Sequence, residues 1–359
     1  MVKALKNLKK QEQLLNWIKR RLGGKNMATA LDVGTSTLVS AKMDKKSGQI
    51  EVKKIRNSFV GINDEQKQRL AAGSLSAVHI KNNAYIVGED AISIARILNT
   101  EVRRPMASGI LNPAEKEGRD VIGALVKALI GEPEYEGERC CFSVPAIPVD
   151  NPKANPVWHA GFFSQLLENF GYAPESVNEA LAIVYAECAE DDHSGIAISH
   201  GGGQINICAS YKLVGTLEFS ISRGGDWIDA MTSSAIGAPI AQVLKIKEDP
   251  QFDLLNASSL DDEIGQAIYY HYKSLIRYEL QTLMKEWLKM KSQLDFPSAI
   301  PIVLSGGTAS LKGFKELWEE ELKKFQAKNP LPFKIKEVRM ARDPLGAVAR
   351  GLLTYALSY

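Results

Sequence analysis

The sequence predicts an α/β fold made of two similar halves around a central cleft. Two strand–glycine turn–strand units open the halves, at LDVGTST (residues 31–37) and SHGGGQIN (residues 199–206). Helical patterns follow the strands in each half, and helices that cover a mixed sheet form a stable layer arrangement. With 359 residues, of which 45% are hydrophobic, the chain is long enough for two cores. A cleft between two such halves is a natural ligand site.

Composition and charge exclude several classes of function. The net charge of +2 favours no nucleic-acid partner, and the five histidines lack the spacing of metal ligands. The four cysteines form no CxxC pair, which predicts reduced thiols in the cytoplasm. No apolar run reaches the roughly 18–20 residues that cross a bilayer, and the basic N-terminus lacks the features of a secretory signal.

Residues 1–26 form a basic arm of different character from the rest of the chain. Apolar residues recur at spacings of three, four and seven, which predicts an amphipathic helix ended by Gly23 and Gly24. Two interpretations remain open. The helix packs on the protein or a neighbouring subunit, or residues 1–22 bind an anionic membrane and hold the protein at its inner face.

Three glycine-rich turns each follow an apolar strand, near residues 34, 202 and 306. Such a turn exposes backbone N–H groups and small hydroxyls to a phosphate, and Asp32 at the start of the first turn can hold Mg²⁺-bound water. Three consecutive glycines, Gly201 to Gly203, weaken a strand unless the backbone approaches another group closely. Alone, the first turn is more often a plain hairpin and the third an ordinary strand-to-helix turn, whereas the second turn favours a phosphate over a flexible hairpin tip.

Further segments extend the pattern over residues 28–355. The order of the three turns, with NEALA (178–182), RGGDWID (223–229) and DPLGAVARG (343–351), resembles the actin and heat-shock-chaperone ATPase superfamily. VGEDA (87–91), RPMASGI (104–110) and LKIKE (244–248) are similar to segments of the bacterial actins MreB and MamK.

The resemblance implies an actin-like ATPase fold, with two tandem ribonuclease-H-like domains around a nucleotide cleft. The expected division is an arm over residues 1–26, domain I over 27–157 plus 335–359, and domain II over 158–334.

The resemblance also implies roles for individual residues toward ATP or ADP and Mg²⁺. Asp32 and Glu179 would be the catalytic and metal-site acids. The expected nucleotide contacts are Gly34, Thr35, Ser36, Thr37, Gly201, Gly202, Gly203, Gln204, Lys245, Glu248, Gly306, Gly307 and Thr308.

The sequence departs from the family pattern at three places. Ser199 stands where the second phosphate turn usually begins with Asp, and Asn206 ends a run that is usually Thr-Thr-Asp. The segment 146–158 lacks the usual water-activating Glu, which leaves Asp150 and His159 as nearby general-base candidates. These departures predict nucleotide binding with slow hydrolysis or none.

The favoured function is an ATP-binding cytoskeletal protein that polymerises into filaments, with a membrane contact through the arm. The alternative is a non-polymerising nucleotide switch or adaptor that recruits partners. A small-molecule kinase ranks last, because no segment supplies a base toward a hydroxyl substrate.

Overall fold

The computed structural model of the chain describes residues 27–70, 75–258, 262–290 and 296–358. The helix predicted over residues 1–26 lies outside the described residues. The strands are β1 (Ala28–Val33), β2 (Thr37–Met43), β3 (Ile50–Arg56), β4 (Phe59–Ile62), β5 (Ala77–Ile80), β6 (Asn83–Val87), β7 (Met106–Ala107), β8 (Ile110–Leu111), β9 (Glu138–Val144), β10 (Tyr172–Asn178), β11 (Gly195–His200), β12 (Ile205–Tyr211), β13 (Val214–Ile221), β14 (Ile300–Ser305) and β15 (Ile335–Met340). The helices are α1 (Asp64–Leu70), α2 (Glu89–Leu98), α3 (Gly118–Ile130), α4 (Val157–Asn169), α5 (Glu179–Glu187), α6 (Gly225–Ile236), α7 (Ile240–Lys247), α8 (Leu254–Ala257), α9 (Glu263–Lys289), α10 (Phe314–Gln326) and α11 (Ala347–Ser358).

Two five-stranded sheets share one topology. The first sheet runs β3-β2-β1-β9-β10 and the second runs β13-β12-β11-β14-β15. In each sheet the first three strands in sequence form an antiparallel meander, and the last two join the opening strand in parallel. The shared order confirms the internal duplication and the mixed α/β class predicted from the sequence.

The central strands follow from their composition. Every residue of β11 and of β14 is buried, as expected for apolar strands covered by helices on both faces. By contrast, β3 lies at a sheet edge and carries the exposed residues Lys53 and Lys54, which discourage pairing with another chain.

The last helix of each half packs on the sheet of the other half. Helix α5 follows β10 of the first sheet and packs on β11 and β12, whereas α11 follows β15 of the second sheet and packs on β1 and β9. The two helices also cross each other so closely that a Cβ on Gly351 would lie 1.7 Å from the carbonyl oxygen of Ala182. One apolar cluster therefore contains residues of both sheets and both helices.

A small lobe is inserted in the first half between β3 and α3. Strands β4, β6 and β5 form a three-stranded sheet, and Ile94 and Ala95 of α2 pack against Val60 and Ile86 of that sheet. This lobe was not predicted from the sequence. The short hairpin β7–β8 follows it and leads toward the cleft.

The two sheets divide the chain differently from the domain boundaries expected above. Residues 158–178 were assigned to domain II, but α4 leads into β10, which pairs with β9 of the first sheet. Residues 335–340 were assigned to domain I, but β15 pairs with β14 of the second sheet. Because the two halves are related by duplication, each needs its own fifth strand.

Among the described residues, no helix combines the length and the apolarity that crossing a bilayer would require.

Candidate functional site

The first turn joins β1 to β2 across Gly34, Thr35 and Ser36. A Cβ on Gly34 would lie 2.4 Å from the carbonyl oxygen of Thr37, so only glycine fits the turn. Asn57 holds the turn from behind, because its side-chain amide donates to the carbonyl of Gly34 at 3.0 Å. The turn is therefore rigid, and the hydroxyls of Thr35 and Ser36 are placed by the backbone.

The second turn joins β11 to β12 across Gly201, Gly202, Gly203 and Gln204. It is closed by the Gly201 amide, which donates to the Gln204 carbonyl at 3.0 Å. A Cβ on Gly203 would lie 2.6 Å from Thr35 Oγ1, which shows how closely this turn approaches the first. The glycines are needed here because backbone meets backbone, as the run of three glycines predicted.

The third turn follows β14 and includes Gly306, Gly307 and Thr308. Gly306 has a φ of +95°, and a Cβ there would lie 2.3 Å from the carbonyl oxygen of His200. The Thr308 hydroxyl donates to the Gly201 carbonyl at 2.9 Å, which ties the third turn to the second. The structure thus brings together three turns that are far apart in the sequence.

The hairpin β7–β8 meets the first two turns. The Gly109 amide donates to Thr35 Oγ1 at 3.0 Å, and Gly109, with a φ of +79°, packs against the side chain of Gln204. Gln204 is fixed in turn by the Ser220 hydroxyl, which donates to its Oε1 at 2.9 Å. Gln204 therefore supports the turns from inside the protein.

Asp32 and Glu179 lie close enough for their charges to interact. Asp32 is the next-to-last residue of β1 and accepts a hydrogen bond from Ser143 at 2.8 Å, and Glu179 is the first residue of α5. Burial raises the pKa of Asp32 strongly, and the negative charge of Glu179 raises it further. Burial also raises the pKa of Glu179.

Ser199 and Asn206 occupy paired positions on β11 and β12 and hold Glu179. The Ser199 hydroxyl donates to Glu179 Oε1 at 2.7 Å, and the Asn206 amide donates to Oε2 at 3.0 Å. Both bonds lower the pKa of Glu179 against the effect of burial. From the sequence, Ser199 and Asn206 were interpreted only as the loss of a carboxylate, but both donate hydrogen bonds to the carboxylate of Glu179.

His200 points away from the cleft. Its ring is fully buried, with Nε2 2.8 Å from Glu279 on α9 and Nδ1 3.3 Å from the Ser305 carbonyl. Trp318 donates to the other oxygen of Glu279 at 3.0 Å. Successive side chains of a strand point to opposite faces, and Ser199 faces the cleft, so His200 faces the core of the second half. His200 therefore cannot replace a metal-facing acid.

Lys245, an expected nucleotide contact, and Lys247, which was not among the expected contacts, lie in different surroundings. Lys245 is exposed, whereas Lys247 pairs with the buried Asp229 at 2.5 Å and donates to the Gly225 carbonyl at 3.4 Å. Burial raises the pKa of Asp229, and Lys247 opposes that shift. Glu248 is exposed and pairs with Arg56 of the first half at 2.7 Å.

The two general-base candidates lie elsewhere. Asp150 accepts hydrogen bonds from the Ser222 amide at 2.8 Å and the Tyr278 hydroxyl at 3.1 Å, which joins the loop after β9 to the second half. His159 is fully buried, accepts from the Leu111 amide at 3.2 Å, and has its pKa lowered to about 4 by burial. Neither contacts Asp32 or Glu179.

The family is decided by the match to a sequence model. The model of the Volactin family matches residues 27–356, which is nearly all of the described chain. The chain belongs to the volactin family. No curated protein matches this volactin sequence.

Solved structures show that this volactin has the actin-like ATPase fold. A MamK double helical filament matches with a TM-score of 0.65 and 16% identity, over 93% of this chain and 100% of that one. The ethanolamine utilization protein EutJ from Carboxydothermus hydrogenoformans matches with a TM-score of 0.53 and 17% identity, over 96% and 98% of the two chains. A non-polymerising MamK mutant bound to AMPPNP gives a TM-score of 0.53 at 16% identity, over 92% and 98%. The predicted resemblance to the bacterial actins is confirmed at the level of the fold.

The acids of this volactin fit a hydrated divalent cation. Within the described residues neither Asp32 nor Glu179 has a cationic partner, and no group of three or more potential ligands surrounds them. Mg²⁺ keeps several waters and is commonly held by one or two carboxylates together with substrate phosphates. A cation would also remove the repulsion that raises the pKa of Asp32.

Proposed function

We propose that this volactin is an ATP-binding cytoskeletal protein of the cytoplasm that assembles into filaments and hydrolyses ATP slowly. The observation that carries the proposal is the pair of acids, Asp32 and Glu179, beside three interlocked glycine turns. Two ionised carboxylates at short range repel each other, and a bound cation offsets that repulsion.

The turns supply the groups that a nucleotide needs. Thr35, Ser36 and Thr37, with the amides of residues 201–203, would hold phosphate oxygens, and Gly306 to Thr308 would pass beside the nucleoside. Asp32 and Glu179 would hold Mg²⁺ through its waters. Phosphoryl transfer needs mainly such positioning and charge neutralisation, so no further reactive side chain is required for binding.

Slow hydrolysis follows from the state of Glu179. The same carboxylate would have to order the metal and the attacking water, and both its oxygens already accept hydrogen bonds from Ser199 and Asn206. Asp150 and His159 are engaged elsewhere and cannot take over as base. A Glu179 carboxylate that must serve both the metal and the attacking water supports nucleotide binding better than rapid hydrolysis.

Assembly is supported by the likeness to a MamK double helical filament over the full length of that chain. Head-to-tail contacts between copies generate filaments when the rotation between them does not close. The basic amphipathic pattern of residues 1–22 supports attachment of such a filament to an anionic membrane.

A nucleotide switch that recruits partners is the second candidate. Ion pairs link the two halves, at Arg56 with Glu248 and at Arg104 with Asp226, and a switch would break and remake such pairs as the halves open and close. A switch would use the same nucleotide site without self-assembly.

Sedimentation with electron microscopy separates the two. Purified protein would be centrifuged with ATP, ADP or no nucleotide, each with Mg²⁺, and the pellet imaged. We expect regular filaments whose amount depends on protein concentration and on nucleotide. Glu179→Gln should keep nucleotide binding and lose most hydrolysis, by about 100-fold. The matched control is Glu136→Gln, because Glu136 is an exposed glutamate of the first half.

The outcomes are distinct. A protein that stays monomeric in every condition but binds ATP would favour the switch. A protein that binds no nucleotide by calorimetry would refute both candidates.

A further inference from the structure

Arg104 joins the two halves at the point where the first two glycine turns meet. It lies just before the hairpin β7–β8 and its guanidinium forms a two-pronged ion pair with Asp226, with N···O distances of 3.0 and 2.9 Å. The same guanidinium donates to Ser36 Oγ at 3.1 Å. Neither Arg104 nor Asp226 was among the nucleotide contacts expected from the sequence.

Both partners of Arg104 belong to the proposed phosphate site. Ser36 lies in the first turn. Asp226 is in the first turn of α6, and its amide donates to the Gly202 carbonyl at 2.8 Å, so it rests directly on the second turn. A Cβ on Gly202 would lie 2.3 Å from Ser36 Oγ and 3.7 Å from Asp226 Oδ1. Arg104 therefore delivers its charge where the two turns converge.

The chemistry of the pair makes it exchangeable. A guanidinium presents parallel N–H donors that match a carboxylate or a phosphate equally well in geometry, and a phosphate carries more charge. The side chains of Arg104 and Asp226 are 35% and 33% exposed, so an incoming anion can reach them from the cleft. A fully buried structural pair would not offer that access.

We infer that Arg104 is a ligand of the nucleotide's terminal phosphate, and that Asp226 holds its guanidinium until that phosphate takes the place of the carboxylate. The inference rests on the proposed function, since it requires a polyphosphate in this cleft. It adds a residue that distinguishes ATP from ADP. The exchange also frees the first half from Asp226, so the terminal phosphate would change the link between the halves.

Opposite effects of two substitutions test the exchange. Titration calorimetry with Mg-ATP and Mg-ADP would be run on the full chain, on Arg104→Ala and on Asp226→Asn. Arg104→Ala should weaken ATP binding about 10- to 100-fold, as expected for a charge-assisted contact, and ADP binding less than about threefold. Asp226→Asn should strengthen ATP binding several-fold, because the competing carboxylate is neutralised.

Two further variants guard against trivial explanations. Arg104→Lys keeps the charge without the fork and should fall between the wild type and Arg104→Ala. Arg119→Ala removes an exposed arginine from the first half and should change neither affinity. Thermal unfolding would confirm that each variant is folded.

Three results would overturn the inference. Arg104→Ala and Asp226→Asn could weaken both nucleotides equally, which is the signature of a purely structural link. Arg104→Ala could retain the wild-type ratio of ATP to ADP affinity. The wild type could bind neither nucleotide, and only that result would also remove the proposed function.

Discussion

The two halves of the molecule differ most at equivalent positions of their opening turns. Asp32 stands two residues before Gly34, and Ser199 stands two residues before Gly201 in the matching turn. The first position is a carboxylate of raised pKa, and the second is a neutral hydroxyl that donates to Glu179. The duplicated scaffold therefore supplies one acid and one donor. A carboxylate in both turns would place three negative groups together before any cation binds.

The largest expected effect comes from breaking the crossing that joins the halves. Gly351→Ala places a Cβ 1.7 Å from the Ala182 carbonyl oxygen, and backbone cannot yield cheaply. We expect the free energy of unfolding to fall by about 3 kcal/mol or more, measured by chemical denaturation. The matched control is Gly161→Ala in α4, where the added Cβ meets nothing within 4 Å. That change should stabilise the helix by about 0.5–1 kcal/mol, and similar losses in both variants would contradict the close crossing.

An intermediate effect is expected from making the two turns alike. Ser199→Asp removes the donor to Glu179 and adds a negative charge to a buried position. We expect the free energy of unfolding of the nucleotide-free protein to fall by about 1–3 kcal/mol at pH 8. A carboxyl group whose folded pKa is raised contributes stability below its unfolded pKa, and that contribution is lost as pH rises through the folded pKa. The destabilisation by Ser199→Asp should therefore be smaller at pH 5 than at pH 8. Ser199→Ala removes the donor alone and should show a smaller, flatter loss. An equal penalty for Ser199→Asp at both pH values would mean that crowding, not charge, is responsible.

The smallest effect should be a gain in stability from neutralising Asp32. The pKa of Asp32 is raised in the folded state, so above about pH 4 the folded protein binds more protons at this site than the unfolded chain does. The wild type therefore loses stability as the pH rises. Asp32→Asn should therefore stabilise the nucleotide-free protein by about 1 kcal/mol at pH 8, with the gain vanishing toward pH 4. Asp192→Asn, at an exposed aspartate, serves as the control. Under the proposed function, Asp32→Asn also weakens Mg-ATP binding. A variant no more stable than the wild type at pH 8 would show that burial and the charge of Glu179 do not raise the pKa of Asp32.

The sequence predicted the parts of this fold that have strong local signals. Apolar runs broken by glycine located β1, β2, β11 and β12, and the mixed α/β class followed from their repetition. Strand β10 reads YAPESVN, with a proline and few buried residues, because it is an edge strand held mainly by pairing with β9. Such a strand has no period of its own to detect. This is why the predicted boundary at residue 158 divided the first sheet.

The meeting of the three turns could be predicted from their order along the chain. Contacts that depend on the direction of a single side chain could not. The three turns do meet, as their order indicated. Lys245 and Lys247 stand two residues apart on α7 and point to nearly opposite sides, and nothing local in the sequence reveals that Lys247 pairs with the buried Asp229. Arg104 was read only as part of a family segment, and nothing local in the sequence reveals that it reaches Ser36 and Asp226.

The exchange of final helices between the halves makes the distance between Glu179 and Asp32 depend on how the halves are arranged. Glu179 begins α5, which leaves the first sheet at β10 and packs on the second, whereas Asp32 stays on β1 of the first. Because Ser199 and Asn206 of the second sheet hold the Glu179 carboxylate, a rotation of one half against the other would change the gap between the two acids. The distance between the two acids would thus report the angle between the halves. An ion bound between the acids would fix that distance and, with it, the angle.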